Sequence, residues 1–278
     1  MGLVGRREVV ALTGLGLLAA CSSDSEGDRV SAVPPEHFRY GDHPAQWADL
    51  YRPEGDPRGV VVVIHGGFWK AAYEAGLGAP LATDLADAGW VAWNLEYRRV
   101  GQGGGYPATL DDVAAGIDRL ADVPGLDLTR VVTLGHSAGG HLATWAAGRD
   151  RTVRWRPVGV PVTAAVSQAG VLDLGAAVRD DLGSGAVHGF LDRPWSELSD
   201  TERVAVDPLR QVPLDVPVRC VHGIIDTTVP ISQSEAYVAA ARASGADAEL
   251  VPVAGDHFVV IDVGSDAWAR TLEILDSV

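Results

Sequence analysis

Lysine is nearly missing from this chain. Lys70 is the only one, and arginine supplies the rest of the 22 basic residues, against 37 acidic ones. The net charge of −15 at pH 7 sets the chain against nucleic acid, whose phosphates demand a basic face. Cysteine is almost as scarce: Cys21 and Cys220 are the only two. Their contexts argue against a disulfide. Cys220 lies inside the apolar run Val216-Pro217-Val218-Arg219-Cys220-Val221 and reads as a buried strand residue, whereas Cys21 closes an N-terminal leader. No dinucleotide fingerprint follows a strand. The run Gly103-Gly104-Gly105 lacks the lysine and serine of a phosphate loop, and no His, Cys or carboxylate cluster has metal-ligand spacing. Nucleotide and metal chemistry are thereby set aside, and no cofactor is expected. Long apolar runs are missing too: the run 9–20 has 12 residues, too few to cross a bilayer as a helix.

What remains is ordinary globular composition. A chain of 278 residues, 47% hydrophobic and 21% charged, is long enough for one large core. Its organising stretch begins at Val131-Val132-Thr133-Leu134, a short β-branched run that reads as a buried strand. Gly135-His136-Ser137-Ala138-Gly139 follows and fits G-x-S-x-G, and residues 141–147 read as a small-residue helix. Strand, tight turn and helix form the context of a nucleophile elbow. A β-carbon on either flanking glycine would collide with neighbouring backbone in so sharp a turn. The Ser137 hydroxyl is pushed into the open at a helix N-terminus, where developing negative charge is favoured.

The rest of the chain alternates strand and helix signals. Residues 37–52 suggest two short antiparallel strands about a turn at Gly41-Asp42, and 60–64 is a continuous β-branched run, as expected of a parallel strand covered on both faces. His65-Gly66-Gly67-Phe68-Trp69 then lets backbone N–H groups turn into a site, with His65 expected to tie the loop down. A helix is expected over 80–88 and a strand over 90–95, and Thr109 is expected to cap a helix over 110–121. After a strand over 163–168 the rhythm breaks at 174–212, which reads as a small cap insertion. Asp226 is the first carboxylate after the strand 217–221, in His222-Gly223-Ile224-Ile225-Asp226-Thr227-Thr228-Val229-Pro230; a plain turn residue is its bland alternative. His257 sits in the loop after the last strand, 249–253, where a surface-loop histidine is the bland alternative and Asp256 reads as a solvated neighbour.

Serine, acid and histidine in that order, each after an expected strand, together with the His-Gly-Gly loop, resemble the α/β-hydrolase superfamily. The likeness is to its esterase branch with a His-Gly-Gly-aromatic-Trp loop, and it spans residues 45–275. That branch includes carboxylesterases and feruloyl-esterase-like and kynurenine-formamidase-like proteins. Two positions depart from relatives: Phe68 replaces the third glycine of the hormone-sensitive-lipase-like loop, and Ile225 stands where many relatives carry a small or polar residue. The resemblance implies an α/β-hydrolase fold, with a mostly parallel central sheet and helices on both faces. It implies a serine hydrolase with Ser137, Asp226 and His257 as the triad, and an oxyanion hole from the N–H groups of Gly67, Phe68 and Ala138. It needs no cofactor, and its partner is a small ester. An amide hydrolase on the same triad and a non-catalytic surface lipoprotein are the other readings. Trp69, which either lines the pocket or simply packs, and Trp195 are candidate pocket residues. With Phe68 and Trp69 beside the carbonyl and so small a cap, acyl chains of about two to six carbons are expected to fit best.

The N-terminus carries a second resemblance. Arg6-Arg7, the apolar run 9–20 and Leu18-Ala19-Ala20-Cys21 resemble a bacterial lipoprotein signal, in which cleavage leaves Cys21 to be lipidated. Arg6-Arg7-Glu8-Val9-Val10 also resembles the twin-arginine export motif, with Val9 in place of the preferred phenylalanine. The expected organisation is a signal peptide over 1–21, a flexible tether over 22–32 and one hydrolase domain over 33–278. The expected address is the outer face of a bacterial membrane, held there only by lipid on Cys21.

Overall fold

A computed structural model describes residues 34–278. The expected signal peptide, Cys21 and the tether lie outside the described residues. One eight-stranded sheet organises the domain. Its strands are β1 (Glu36–Arg39), β2 (Trp47–Tyr51), β3 (Val60–Ile64), β4 (Val91–Leu95), β5 (Val131–His136), β6 (Ala164–Gln168), β7 (Val218–Gly223) and β8 (Ala248–Val253), in the spatial order β1-β2-β4-β3-β5-β6-β7-β8. β1 and β2 are antiparallel, as their alternating sequence suggests, and all strands from β4 onward in that order run parallel.

The valine run of β3 lies at the centre because both of its faces are covered. Val60, Val62 and Ile64 enter the core on one side, Val61 and Val63 on the other. The first side is closed by α2 (Ala108–Asp118) and α3 (Ala138–Ala147), through Val113, Ile117, Leu142 and Trp145. The second is closed by α1 (Ala79–Asp87) and α8 (Asp266–Ser277), through Leu81, Leu85, Trp268 and Ile274. A third apolar cluster lies under α7 (Ser232–Ala243), where Tyr237, Val238 and Ala241 meet Leu172 and the buried Cys220. The chain leaves β3 towards β4 on one side and returns to β5 on the other. The crevice between the C-terminal ends of β3 and β5 is therefore the switch point at which parallel sheets bind ligands.

Two local expectations are corrected. Thr109 is not the cap of α2 but a residue of its first turn, and its hydroxyl is used elsewhere. It donates to the Arg98 carbonyl at 2.6 Å and accepts from the Gly105 N–H at 2.9 Å, pinning the glycine-rich loop. The insertion folds as α4 (Leu174–Arg179), α5 (Ala186–Leu191) and α6 (Asp200–Val206), the last opened by a capping box between Ser199 and Glu202. It is anchored by Phe190, fully buried and stacked on Trp69 with centroids 4.8 Å apart.

Candidate active site

β5 runs into the turn at Ser137 and α3 begins at the next residue. Ser137 has φ 57° and ψ −118°, a strained conformation for a residue with a side chain. The surrounding close approach explains both glycines. A β-carbon on Gly135 would land on the Gly139 carbonyl, and one on Gly139 would land on the Ile64 carbonyl. The turn is held from behind by the Ser137 N–H donating to the Gln168 carbonyl at 2.8 Å.

The loop after β3 is tied down by His65, as the sequence suggests, together with Glu96 and Tyr97, which the sequence did not single out. His65 is buried and structural: its Nδ1 lies 2.8 Å from the Gly66 carbonyl, its Nε2 3.2 Å from Glu96 Oε1, and its ring stacks on Tyr97 at 4.4 Å. Tyr97 donates its hydroxyl to the His65 carbonyl at 2.8 Å. Burial alone would raise the Glu96 carboxyl. The bonds from His65 and from the Ala75 and Tyr97 N–H groups outweigh it and hold the group below the ordinary carboxylate value. On this frame Gly67, Phe68 and Trp69 all adopt positive φ, at 108°, 55° and 57°. The Gly67 and Phe68 N–H groups find no acceptor among the described residues, nor does that of Ala138 at the start of α3. Gly67 and Phe68 line the same cavity as Ser137, and Ala138 follows it in the chain.

Asp226 and His257 come together across the ends of β7 and β8. His257 Nδ1 donates to Asp226 Oδ2 at 2.6 Å, since an ionised carboxylate only accepts. The Thr228 and Val229 N–H groups donate to Oδ1 at 2.8 and 2.9 Å, so the acid is set by its own turn. His222 adds a contact that sequence reasoning missed. Its Nε2 donates to the Val229 carbonyl at 2.8 Å and lies 3.3 Å from Asp226 Oδ2, while its Nδ1 meets Ser234 Oγ at 2.8 Å. The signal was present as the first residue of the His-Gly-x-x-Asp segment. Burial would push the Asp226 carboxyl up, but the bonds from His222, His257 and Val229 hold it well below the usual range. His136, the variable residue of the elbow, donates Nε2–H to the His257 carbonyl at 2.9 Å and packs its ring 4.4 Å from the His257 ring. Burial first, and His257 beside it, push His136 down to about 3, so it stays neutral and acts as a strut.

Ser137, His257, Gly67 and Phe68 border one cavity of about 210 Å³. Its wall does not include either tryptophan expected there. Trp69 is 1% exposed and packs between Phe190 and His141, because the left-handed turn at 67–69 sends it into the core. Trp195 lies under the Arg203 guanidinium at 5.5 Å, and no residue of 174–212 lines the cavity. Asp256 is exposed and, among the described residues, its side chain accepts from the Phe258 N–H alone, at 3.0 Å.

Residues 48–240 match the model of the BD-FAE family. Among sequence relatives, the isoprenylcysteine alpha-carbonyl methylesterase of Arabidopsis thaliana is 28% identical over 236 residues, 78% of this chain and 54% of that protein. Esterase LipC of Mycobacterium tuberculosis is 28% identical over 246 residues, 80% of this chain and 59% of that protein. The chain therefore spans little more than half the length of these relatives. Among solved structures, esterase B of Lactobacillus rhamnosis, inhibited by a tributyrin phosphonate, superposes with a TM-score of 0.74 at 21% identity, over 89% of this chain and 87% of that one. A butyrate-bound esterase of Thermogutta terrifontis gives 0.70 at 23% identity, over 89% and 94%. These likenesses carry the fold, which is that of the α/β-hydrolases.

Proposed function

This chain belongs to the BD-FAE family, and from that membership we propose that it is a serine carboxylesterase working through an acyl-enzyme. The observation that carries the reading is the 2.6 Å bond between His257 Nδ1 and Asp226 Oδ2, with His257 and Ser137 on the wall of the same cavity. His257 Nε2 takes the Ser137 proton as Oγ attacks the ester carbonyl. The Ser137 Oγ–acyl bond forms, the bond from carbonyl carbon to alcohol oxygen breaks, and the proton passes from His257 to the departing alcohol. Water then adds to the acyl carbon, giving its proton to His257, and releases the acid as the proton returns to Ser137. The free N–H groups of Gly67, Phe68 and Ala138 supply donors for the oxyanion. Asp226 holds the imidazole in the tautomer that accepts at Nε2 and stabilises its cationic form.

The esterase relatives and the butyrate and tributyrin-phosphonate ligands of the solved neighbours support esters of short acids as substrates. A panel of p-nitrophenyl esters, formyl-kynurenine and aminoacyl amides tests the choice. The expected result is that kcat/KM on p-nitrophenyl butyrate exceeds that on every amide by orders of magnitude. Turnover of formyl-kynurenine with none of the esters overturns the ester reading in favour of a formamidase.

The address belongs to the same reading. Arg6-Arg7, the run 9–20 and Leu18-Ala19-Ala20-Cys21 support export and lipidation of Cys21. One acyl chain gives only marginal anchoring, so stable retention requires the several chains of a bacterial lipoprotein. Cys21→Ser is expected to move the protein from the detergent phase to the aqueous phase on partition, and to remove the lipid mass from its N-terminal peptide. A wild-type chain in the cytosol with Met1 intact contradicts this address.

A further inference from the structure

The cavity beside Ser137 is one-sided. On the α2 and α3 face of the sheet the space behind the elbow is filled: Trp69 stacks on Phe190 and meets His141 edge-on at 5.3 Å. On the α1 and α8 face the wall is apolar and deep. Val63, Leu81 and Leu134 line it and are themselves 4% exposed or less. Leu77, in the 3-10 turn Ala75–Gly78, and Phe258, next to the base, also line it but are 51% and 60% exposed, so they stand at its mouth.

The two halves of an ester make different demands on such a space. The alcohol must leave before water can enter, so its side has to be open. The acyl group stays bonded to the serine until water arrives, so its side can be enclosed, and enclosure of an apolar chain is favourable. We propose that the acyl chain of the substrate lies in this cavity on the α1 side of the sheet, and that Leu77 and Phe258 at its mouth set the chain length accepted. This rests on the esterase reading above. The substrate class is an ester of a short apolar acid. The insertion 174–212, which touches the oxyanion loop where Lys70 Nζ reaches the Gly183 carbonyl at 3.5 Å, does not select the acyl group.

Two substrate series separate the halves of the ester: p-nitrophenyl esters from acetate to palmitate, and acetates of alcohols from ethanol to octanol. In the wild type kcat/KM is expected to rise along the acyl series by up to about fourfold per methylene and to fall again before palmitate. Leu77→Trp, at an exposed position that tolerates a larger side chain, should lower the hexanoate-to-acetate ratio by about tenfold or more through overpacking. Leu77→Ala should move the optimum to longer acids. In the alcohol series the ratios should not follow Leu77. Trp195→Ala, outside the cavity, should leave the acyl ratios as they are. A Leu77 effect confined to the alcohol series, or acyl ratios that respond to Trp195 and not to Leu77, overturns the proposal while ester turnover leaves the esterase reading standing. A folded wild type that hydrolyses no ester of either series overturns that reading and this proposal with it.

Discussion

Ser137→Ala is expected to lower kcat/KM on a p-nitrophenyl ester by about 10⁴ to 10⁶, with thermal stability unchanged. The size follows from the role: without Oγ there is no acyl-enzyme, and only the oxyanion donors and the binding cavity remain to act on bound water. The unchanged stability follows from the local structure. The hydroxyl makes no side-chain cap bond to α3. The turn is held by backbone, through the Ser137 N–H to Gln168 and the close approach of Gly135 and Gly139 to their neighbours. Alanine meets the same positive φ as serine, so the strain is carried over rather than added. Activity within tenfold of wild type, in protein freed of contaminating hydrolases, removes Ser137 from the nucleophile role.

The sequence was most informative where a steric requirement is local. A β-branched run followed by G-x-S-x-G admits few other structures, because Gly135 faces the carbonyl of Gly139 within the same turn, even though Gly139 in turn faces that of Ile64 on the neighbouring strand. The strands 60–64 and 131–134 were legible for a similar reason: full burial on both faces leaves an almost unbroken β-branched run, whose one polar member, Thr133, donates its hydroxyl to the Ala143 carbonyl at 2.9 Å. Trp69 shows where such reading stops. Its side chain is aimed by three consecutive positive φ values in a non-helical, non-strand turn, and no periodicity encodes that direction. The cavity wall was hidden for another reason. Leu77 and Phe258 lie 181 residues apart and line one cavity only because the 3-10 turn before α1 and the loop after β8 come to the same end of the sheet. The struts His136 and His222 were in plain sight inside motifs, but their partners, the carbonyls of His257 and Val229, are backbone groups that a motif does not name.

Asp226→Asn is expected to cost about 10⁴ in kcat with little change in KM, and the hydrogen-bond geometry says why an amide cannot stand in for the carboxylate. The Thr228 and Val229 N–H groups both donate to Oδ1, at 2.8 and 2.9 Å, so the single carbonyl oxygen of asparagine is drawn to that position. Its NH₂ then faces the two donors that now meet at Oδ2, His257 Nδ1 at 2.6 Å and His222 Nε2 at 3.3 Å. His222 is already committed to donating Nε2–H to the Val229 carbonyl. His257 is left to yield by moving its proton to Nε2 and accepting at Nδ1, which is the tautomer that cannot take a proton from Ser137. Charge adds to the loss. The Asp226 carboxyl is held well below the usual carboxylate range, so it is ionised at working pH and stabilises the imidazolium that the reaction creates. The same shift fixes the sign of a stability effect. A carboxyl whose folded value is depressed contributes stability above its unfolded value of about 4, and that contribution is lost as pH falls through the folded value. The wild type should therefore lose stability on acidification below about pH 4 more steeply than Asp226→Asn, as followed by thermal melts. If turnover by Asp226→Asn stays within tenfold while replacement of another carboxylate abolishes it, the acid lies elsewhere and the pairing of Asp226 with His257 serves the loop alone.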